Sequence, residues 1–154
     1  MVHFQFFRSL RIGLLVLVLC LVGAAAPIWA ATSSHIRQVT VPPEDRFTPF
    51  ALTIRAGESV RWVNTDADDH TVVSDDAFNT AGHKGTDQLL PADGGTLVLH
   101  FTHPGTFVYY CRFHAHLDSF NQPVAPGPEG GIQDANGNFG TPMMGVITVL
   151  PDGD

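Results

Sequence analysis

Tyr109-Tyr110-Cys111-Arg112-Phe113-His114-Ala115-His116-Leu117-Asp118 places one cysteine three residues before a histidine and five before another. How that thiol is read depends on the compartment, and hence on the start of the 154-residue chain. Arg8 and Arg11 flank the start of an apolar run from Ile12 to Ala26, and small residues follow at Ala30 and Ala31. Basic, apolar and small residues in that order form the pattern of a secretory signal peptide. The run is short for a membrane span and Pro27 interrupts it, so cleavage is expected in place of an uncleaved anchor. The expected division is 1–30 as signal peptide and 31–154 as one domain, exported to the periplasm or outside the cell, without stable membrane insertion. Cys20 leaves with the signal, so Cys111 has no partner within the chain. An inert buried thiol, an intermolecular bridge and a metal-bound thiolate are then the open readings.

Processing leaves six Lys and Arg against fifteen Asp and Glu, a formal charge of −9. That balance disfavours nucleic acid as a partner. It favours a soluble protein, expected as a monomer, whose field attracts basic proteins or cations.

Short runs rich in β-branched and aromatic residues recur between Gly, Pro, Asn and Asp clusters, the pattern of an all-β sandwich or barrel. Strands are expected at Ile36 to Val41, Phe50 to Arg55, Ser59 to Asn64, Thr71 to Ser74, Thr96 to Thr102, Thr106 to Cys111 and Val146 to Leu150. Period-two spacing puts Leu97, Leu99 and Phe101 on one face of a strand, and Phe107, Tyr109 and Cys111 on one face of the next. His100 falls on the opposite, solvated face, and His103-Pro104-Gly105 reads as a turn. Asp75 to Gly95 reads as a polar connection. Residues 115–142 form a 28-residue loop with five Gly and four Pro, in which Asn136-Gly137 closes a small hairpin between Ile132 and Phe139.

On this reading Cys111 ends one strand and His114 follows in the loop. His70 starts another strand after Asp66-Ala67-Asp68-Asp69, and Met143 stands just before the last. One thiolate, two imidazoles and a thioether are a soft donor set, which suits copper held by His, His and Cys with a weak axial Met. Zinc also accepts Cys and His, but its structural sites close with four strong ligands. His116 competes with His114, and Met144 with Met143. His83 is either an extra ligand or an exposed loop residue. Asp66, Asp68, Asp69, Asp75 and Asp76 bracket His70, as a charged docking region or as solvated turns.

The chain resembles the cupredoxins, particularly their plastocyanin-like and amicyanin-like members. The resemblance rests on Phe47-x-Pro49, on Ile54-Arg55-Ala56-Gly57-Glu58-Ser59-Val60-Arg61-Trp62-Val63-Asn64 and on His70-Thr71-Val72. It continues through Phe101 to His114 and ends in Met143-Met144-Gly145-Val146-Ile147-Thr148-Val149. It implies a Greek-key β-sandwich of about seven to eight strands holding one copper ion that cycles between Cu(I) and Cu(II). It also implies that the ligands are His70, Cys111, His114 and Met143, and that the partners are redox proteins, here ones with basic docking surfaces. Thr71 stands where the family commonly has Asn, and the 28-residue loop is far longer than usual; it is expected to fold over or beside the copper end. Electron carriage is the expected function. An enzyme with an open copper position under the loop is the alternative, and a copper-trafficking module with only Cys111, Met143 and Met144 as soft donors is the weakest. Tyr110 and Arg112 flank Cys111, so the His-Cys-His pattern of a coupled trinuclear cluster is missing.

Overall fold

Alternating apolar residues can bury one face of a strand only against a second sheet, and the chain builds two such sheets. The computed structural model describes residues 35–75, 77, 79–127, 131–132 and 139–153. Among the described residues ten strands run in chain order: β1 Ile36–Val41, β2 Ala51–Arg55, β3 Ser59–Asn64, β4 His70–Val73, β5 Asp87–Leu90, β6 Thr96–His100, β7 Gly105–Tyr110, β8 His116–Leu117, β9 Pro123–Val124 and β10 Met144–Leu150. One sheet has the order β1-β3-β6, and the facing sheet β2-β10-β7-β4-β5. β1 pairs with β3 and β2 with β10 in parallel, while β10 and β4 flank β7 antiparallel. The expected all-β sandwich is therefore present.

Phe107, Tyr109 and Cys111 are fully buried on one face of β7 and its extension, as their spacing requires. Trp62 of β3 meets Tyr109 edge-on at 5.3 Å between ring centroids, and Phe101 meets Phe107 at 5.3 Å. These rings join the two sheets, and such pairs add about 0.5–1.5 kcal/mol beyond their burial. His100 is exposed on β6, and His103 is exposed in the turn that carries the chain from one sheet to the other.

All seven expected strands are present, two with the expected bounds and five with ends displaced by one or two residues. Three more bring the number among the described residues to ten, above the expected seven to eight. β5 lies inside the segment expected as a connection. It is an edge strand in which only Leu90 is buried, so it carries no apolar alternation. β8 and β9 form a hairpin within the long loop. Asp118 accepts hydrogen bonds from the amides of Phe120 at 2.8 Å and Gln122 at 2.9 Å, and Asn121 takes a left-handed φ of 57°. Ile132 and Thr141 form an isolated antiparallel bridge. The expected Asn136-Gly137 turn lies outside the described residues.

Gly145 faces Tyr109 across the β10–β7 pair. A Cβ there would lie 2.5 Å from the Tyr109 ring carbon Cζ and its hydroxyl. Both residues sit next to the end of the sandwich that bears Cys111 and Met143. Gly145→Ala is expected to destabilise the fold by about 1–3 kcal/mol in denaturant unfolding, through overpacking of a ring that cannot retreat. A loss well under that range would show that β10 can move away from β7.

Candidate metal centre

β7 pairs with β4 through Val73 and Tyr110, and with β10 through Met144 and Tyr110. Both neighbours run antiparallel to it, so the residues just beyond Tyr110 meet the start of β4 and the approach to β10. Cys111, His70 and Met143 converge there, and each is fully buried. His114 is next after one turn, its side chain 24% exposed.

The backbone closes this convergence into a ring of hydrogen bonds. The Cys111 amide donates to the Met143 carbonyl at 3.0 Å, the Met143 amide to the His114 carbonyl at 3.3 Å, and the His114 amide to the Cys111 carbonyl at 3.1 Å. Met143 is thus fixed beside Cys111 and His114 despite the 28 residues that separate it from His114.

The Cys111 and His114 side chains of this ring meet that of His70. Cys111 Sγ lies 3.7 Å from His70 Nδ1 and 3.7 Å from His114 Nδ1. The Thr71 amide donates to Sγ at 3.4 Å, and its hydroxyl lies 3.7 Å from the same atom. That hydroxyl also accepts the Arg112 amide at 2.9 Å, so Thr71 ties β4 to the Cys111 loop. Threonine makes this tie where the resemblance leads one to expect Asn.

On the outer side, His70 Nε2 meets Asp66 Oδ2 at 3.2 Å and Asp45 Oδ1 at 3.5 Å, and His114 Nε2 lies 3.8 Å from the same Asp45 oxygen. Buried Asn64 shapes the loop that carries Asp66, donating to the Asp68, Leu90 and Pro91 carbonyls and accepting the Asp66 amide at 3.0 Å.

Burial disfavours the Cys111 thiolate, but hydrogen bonds from His114 and His70 and from the Phe113 and Thr71 amides outweigh it and bring the pKa down to about 6. Burial opposes charge on His70, yet contact with Cys111 and Asp66 raises its pKa; for His114 the bond to Cys111 leads the upward shift. Burial pushes Asp66 up, while His70 and the Ala67 amide bring it below its ordinary 3.8. Burial lifts Asp45 above 3.8 against the pull of His114 and His70.

His70 Nδ1, Cys111 Sγ and His114 Nδ1 are thus presented to a common point, as ligand atoms within 4.8 Å of one another. Donors at metal–sulfur and metal–nitrogen bond lengths of about 2.3 and 2.0 Å, spread by tetrahedral to trigonal angles, stand about 3.5–3.8 Å apart. The observed 3.7 Å separations match this spacing. A thiolate, two imidazoles and a buried thioether residue beside them fit copper better than a four-strong-ligand zinc site.

The competing donors lie elsewhere. His116 is exposed on β8 and outside the cluster. Met144 is half-buried and lines an apolar cleft of about 340 Å³ with Phe47, Phe50 and Ile132. His83 packs edge-on against Phe101 at 4.9 Å and its Nε2 hydrogen-bonds the His100 carbonyl at 2.7 Å, so it is a packing residue. Among the bracketing acids, Asp66 is buried against His70, while Asp68 and Asp69 are exposed; Asp76 lies outside the described residues. Asp45 carried no sequence signal beyond its turn, Pro42-Pro43-Glu44-Asp45.

In the metal-free protein, the ultraviolet absorbance of the thiolate should titrate with a midpoint near pH 6, against an ordinary 9.0, and be missing in Cys111→Ser. Because the folded pKa is depressed, the thiolate's contribution to stability is full above pH 9, falls as the pH drops, and is gone below about pH 6. A midpoint near 9 would contradict the hydrogen-bonded geometry at Sγ.

Comparison with known proteins agrees with this geometry. The family described as copper binding proteins, plastocyanin/azurin family, matches residues 43–119, half of the chain and a span that includes His70, Cys111 and His114. Plastocyanin of Scenedesmus fuscus is 33% identical over 72 residues, covering 44% of this chain and 74% of that protein. A chloroplastic plastocyanin of Physcomitrium patens is 30% identical over 101 residues, 61% of this chain and 60% of that one. A Cu(I) structure of an amicyanin mutant, 18% identical, superposes with a TM-score of 0.50 over 79% of this chain and 88% of that chain, a likeness of fold. With the family model matching half of the chain and a plastocyanin 33% identical over 74% of its own length, the chain belongs to the plastocyanin/azurin family of copper-binding proteins.

Proposed function

We propose that His70, Cys111, His114 and Met143 hold one copper ion and that the protein is an exported carrier of single electrons. The observation that carries this reading is the buried Cys111 Sγ standing 3.7 Å from the Nδ1 atoms of both histidines. When bound, copper supplies a one-electron change between Cu(II) and Cu(I). The chain supplies the rest. The backbone ring through Cys111, His114 and Met143 holds the donors in one arrangement, so a change of charge demands little movement. The two imidazoles and the Thr71 amide keep the thiolate ionised in a buried setting. His70, Cys111 and Met143 are shut away from water, which leaves the partly exposed His114 edge as the route by which electrons enter and leave. Exposed Phe113 beside it offers apolar contact to a partner, and exposed Asp68 and Asp69 favour one with a basic surface.

Residues 1–30 act in this proposal as the signal for export and 31–154 as the single working domain. Among the described residues no helix is long and apolar enough to cross a membrane. The described part of the long loop, with its β8–β9 hairpin, is an elaboration of the copper-bearing end.

The ligand register is tested by substitution in the copper-loaded protein. Met143→Leu should keep copper and shift both colour and reduction potential, while Met144→Leu and His116→Ala leave both unchanged. Cys111→Ala should abolish the thiolate-to-copper absorption. A shift in Met144→Leu with none in Met143→Leu would show that the thioether comes from the neighbouring residue.

A further inference from the structure

Both imidazoles turn Nδ1 toward Cys111 and Nε2 toward carboxylates, and one carboxylate lies against both. Asp45 Oδ1 stands 3.5 Å from His70 Nε2 and 3.8 Å from His114 Nε2, and the two rings are 5.1 Å apart between centroids. These separations exceed a short hydrogen bond, so the contact is one of charge with two N–H dipoles. His70 has its direct acceptor in Asp66 at 3.2 Å; among the described contacts of His114 Nε2, the carboxylate is that of Asp45 alone.

The position of Asp45 is built, not incidental. The Asp45 amide donates to the Pro42 carbonyl at 3.2 Å, closing a turn that contains Pro42 and Pro43, whose rings fix φ. Asp45 itself takes φ 51°, a left-handed conformation that Asp tolerates better than most residues. Thr40 and Thr48 exchange two backbone hydrogen bonds of 2.8 Å at the base of the connection. The turn thus delivers one carboxylate, 35% exposed, to the outer edge of the histidine pair.

On the reading that copper binds at the Nδ1 side, we infer that Asp45 is a positioning residue for both imidazole ligands, fixing His114 relative to His70 and favouring the oxidised ion by its charge. Outer partners of metal-bound histidines orient the ring and raise its basicity, and their loss typically costs about 10–100-fold in metal affinity. A negative charge beside both ligands stabilises Cu(II) more than Cu(I), because the divalent ion carries the larger charge. The same Asp45, Asp66 and His70 atoms are close enough to hold a metal of their own. That would require His70 to give up its last ring proton and bridge two ions as imidazolate, whereas acceptance of its N–H leaves every proton in place.

The test uses the copper-loaded protein and three variants. Asp45→Asn keeps the shape and an acceptor oxygen but removes the charge. It should raise the reduction potential while leaving the visible and electron paramagnetic resonance spectra near wild type. Asp45→Ala removes both, and should lower Cu(II) affinity about 10–100-fold and alter the spectra as His114 is freed. Glu44→Gln neutralises the adjacent exposed carboxylate and should leave the potential unchanged. An unchanged potential in Asp45→Asn overturns the inference, as does an equal shift in Glu44→Gln. So does a second equivalent of Zn²⁺ taken up by copper-loaded wild type and lost in Asp45→Asn. A wild type without thiolate-to-copper absorption refutes the copper assignment itself, an outcome separate from these.

Discussion

Three backbone hydrogen bonds, from Cys111 to Met143, Met143 to His114 and His114 back to Cys111, are the constraint on which the metal centre depends. Side-chain donors on loops can be placed only as well as their backbones are held. Here the backbones of Cys111, His114 and Met143 hold one another, and sheet pairing of Tyr110 with Val73 and Met144 anchors the ring to the sandwich. That explains how 28 residues can stand between His114 and Met143 without displacing either. Each doubling of loop length costs only about 0.6 kcal/mol of closure entropy, so growth from a few residues to this length costs about 2 kcal/mol. Two ends already bonded to each other make that cost independent of the donor geometry.

The second requirement is an anion where burial forbids one. A thiolate at zero exposure is tolerable only if its environment is polar toward it, and the chain meets this with two imidazoles and the Thr71 amide. The imidazoles in turn face Asp66 and Asp45, so sulfur, imidazole and carboxylate follow one another outward. The apolar counterpart is the aromatic stack of Trp62, Tyr109 and Phe107 beneath. It leaves the site rigid on its inner side and polar on its outer side.

Much of this was legible in the sequence. Phe107, Tyr109 and Cys111 alternate, and alternation is what a half-buried strand requires, so the strand and the inward direction of the thiol could be read together. The convergence of His70, Cys111 and Met143 was legible because each stands at or beside a strand end, where the chain leaves the sheet, with His114 one turn beyond Cys111. β5 was hidden because an edge strand with only Leu90 buried needs no apolar period. β8 and β9 are two residues each, too short to carry any period, and their hairpin rests on the side chain of Asp118. Asp45 was hidden for another reason. A turn of the Pro-Pro-Glu-Asp kind is readable locally, but the histidines it meets are 25 and 69 residues away in the chain. Only the packing of the β1–β2 connection over the ligand end reveals the contact.

The central claim is that copper sits between a thiolate and two imidazoles in a preformed, buried arrangement. Its most direct test is the visible absorption and electron paramagnetic resonance spectrum of the protein loaded with Cu(II). The account predicts an intense thiolate-to-copper band together with narrow hyperfine splitting. A pale protein with wide splitting would contradict it, by showing that Cys111 does not bind or that further ligands have entered from solvent.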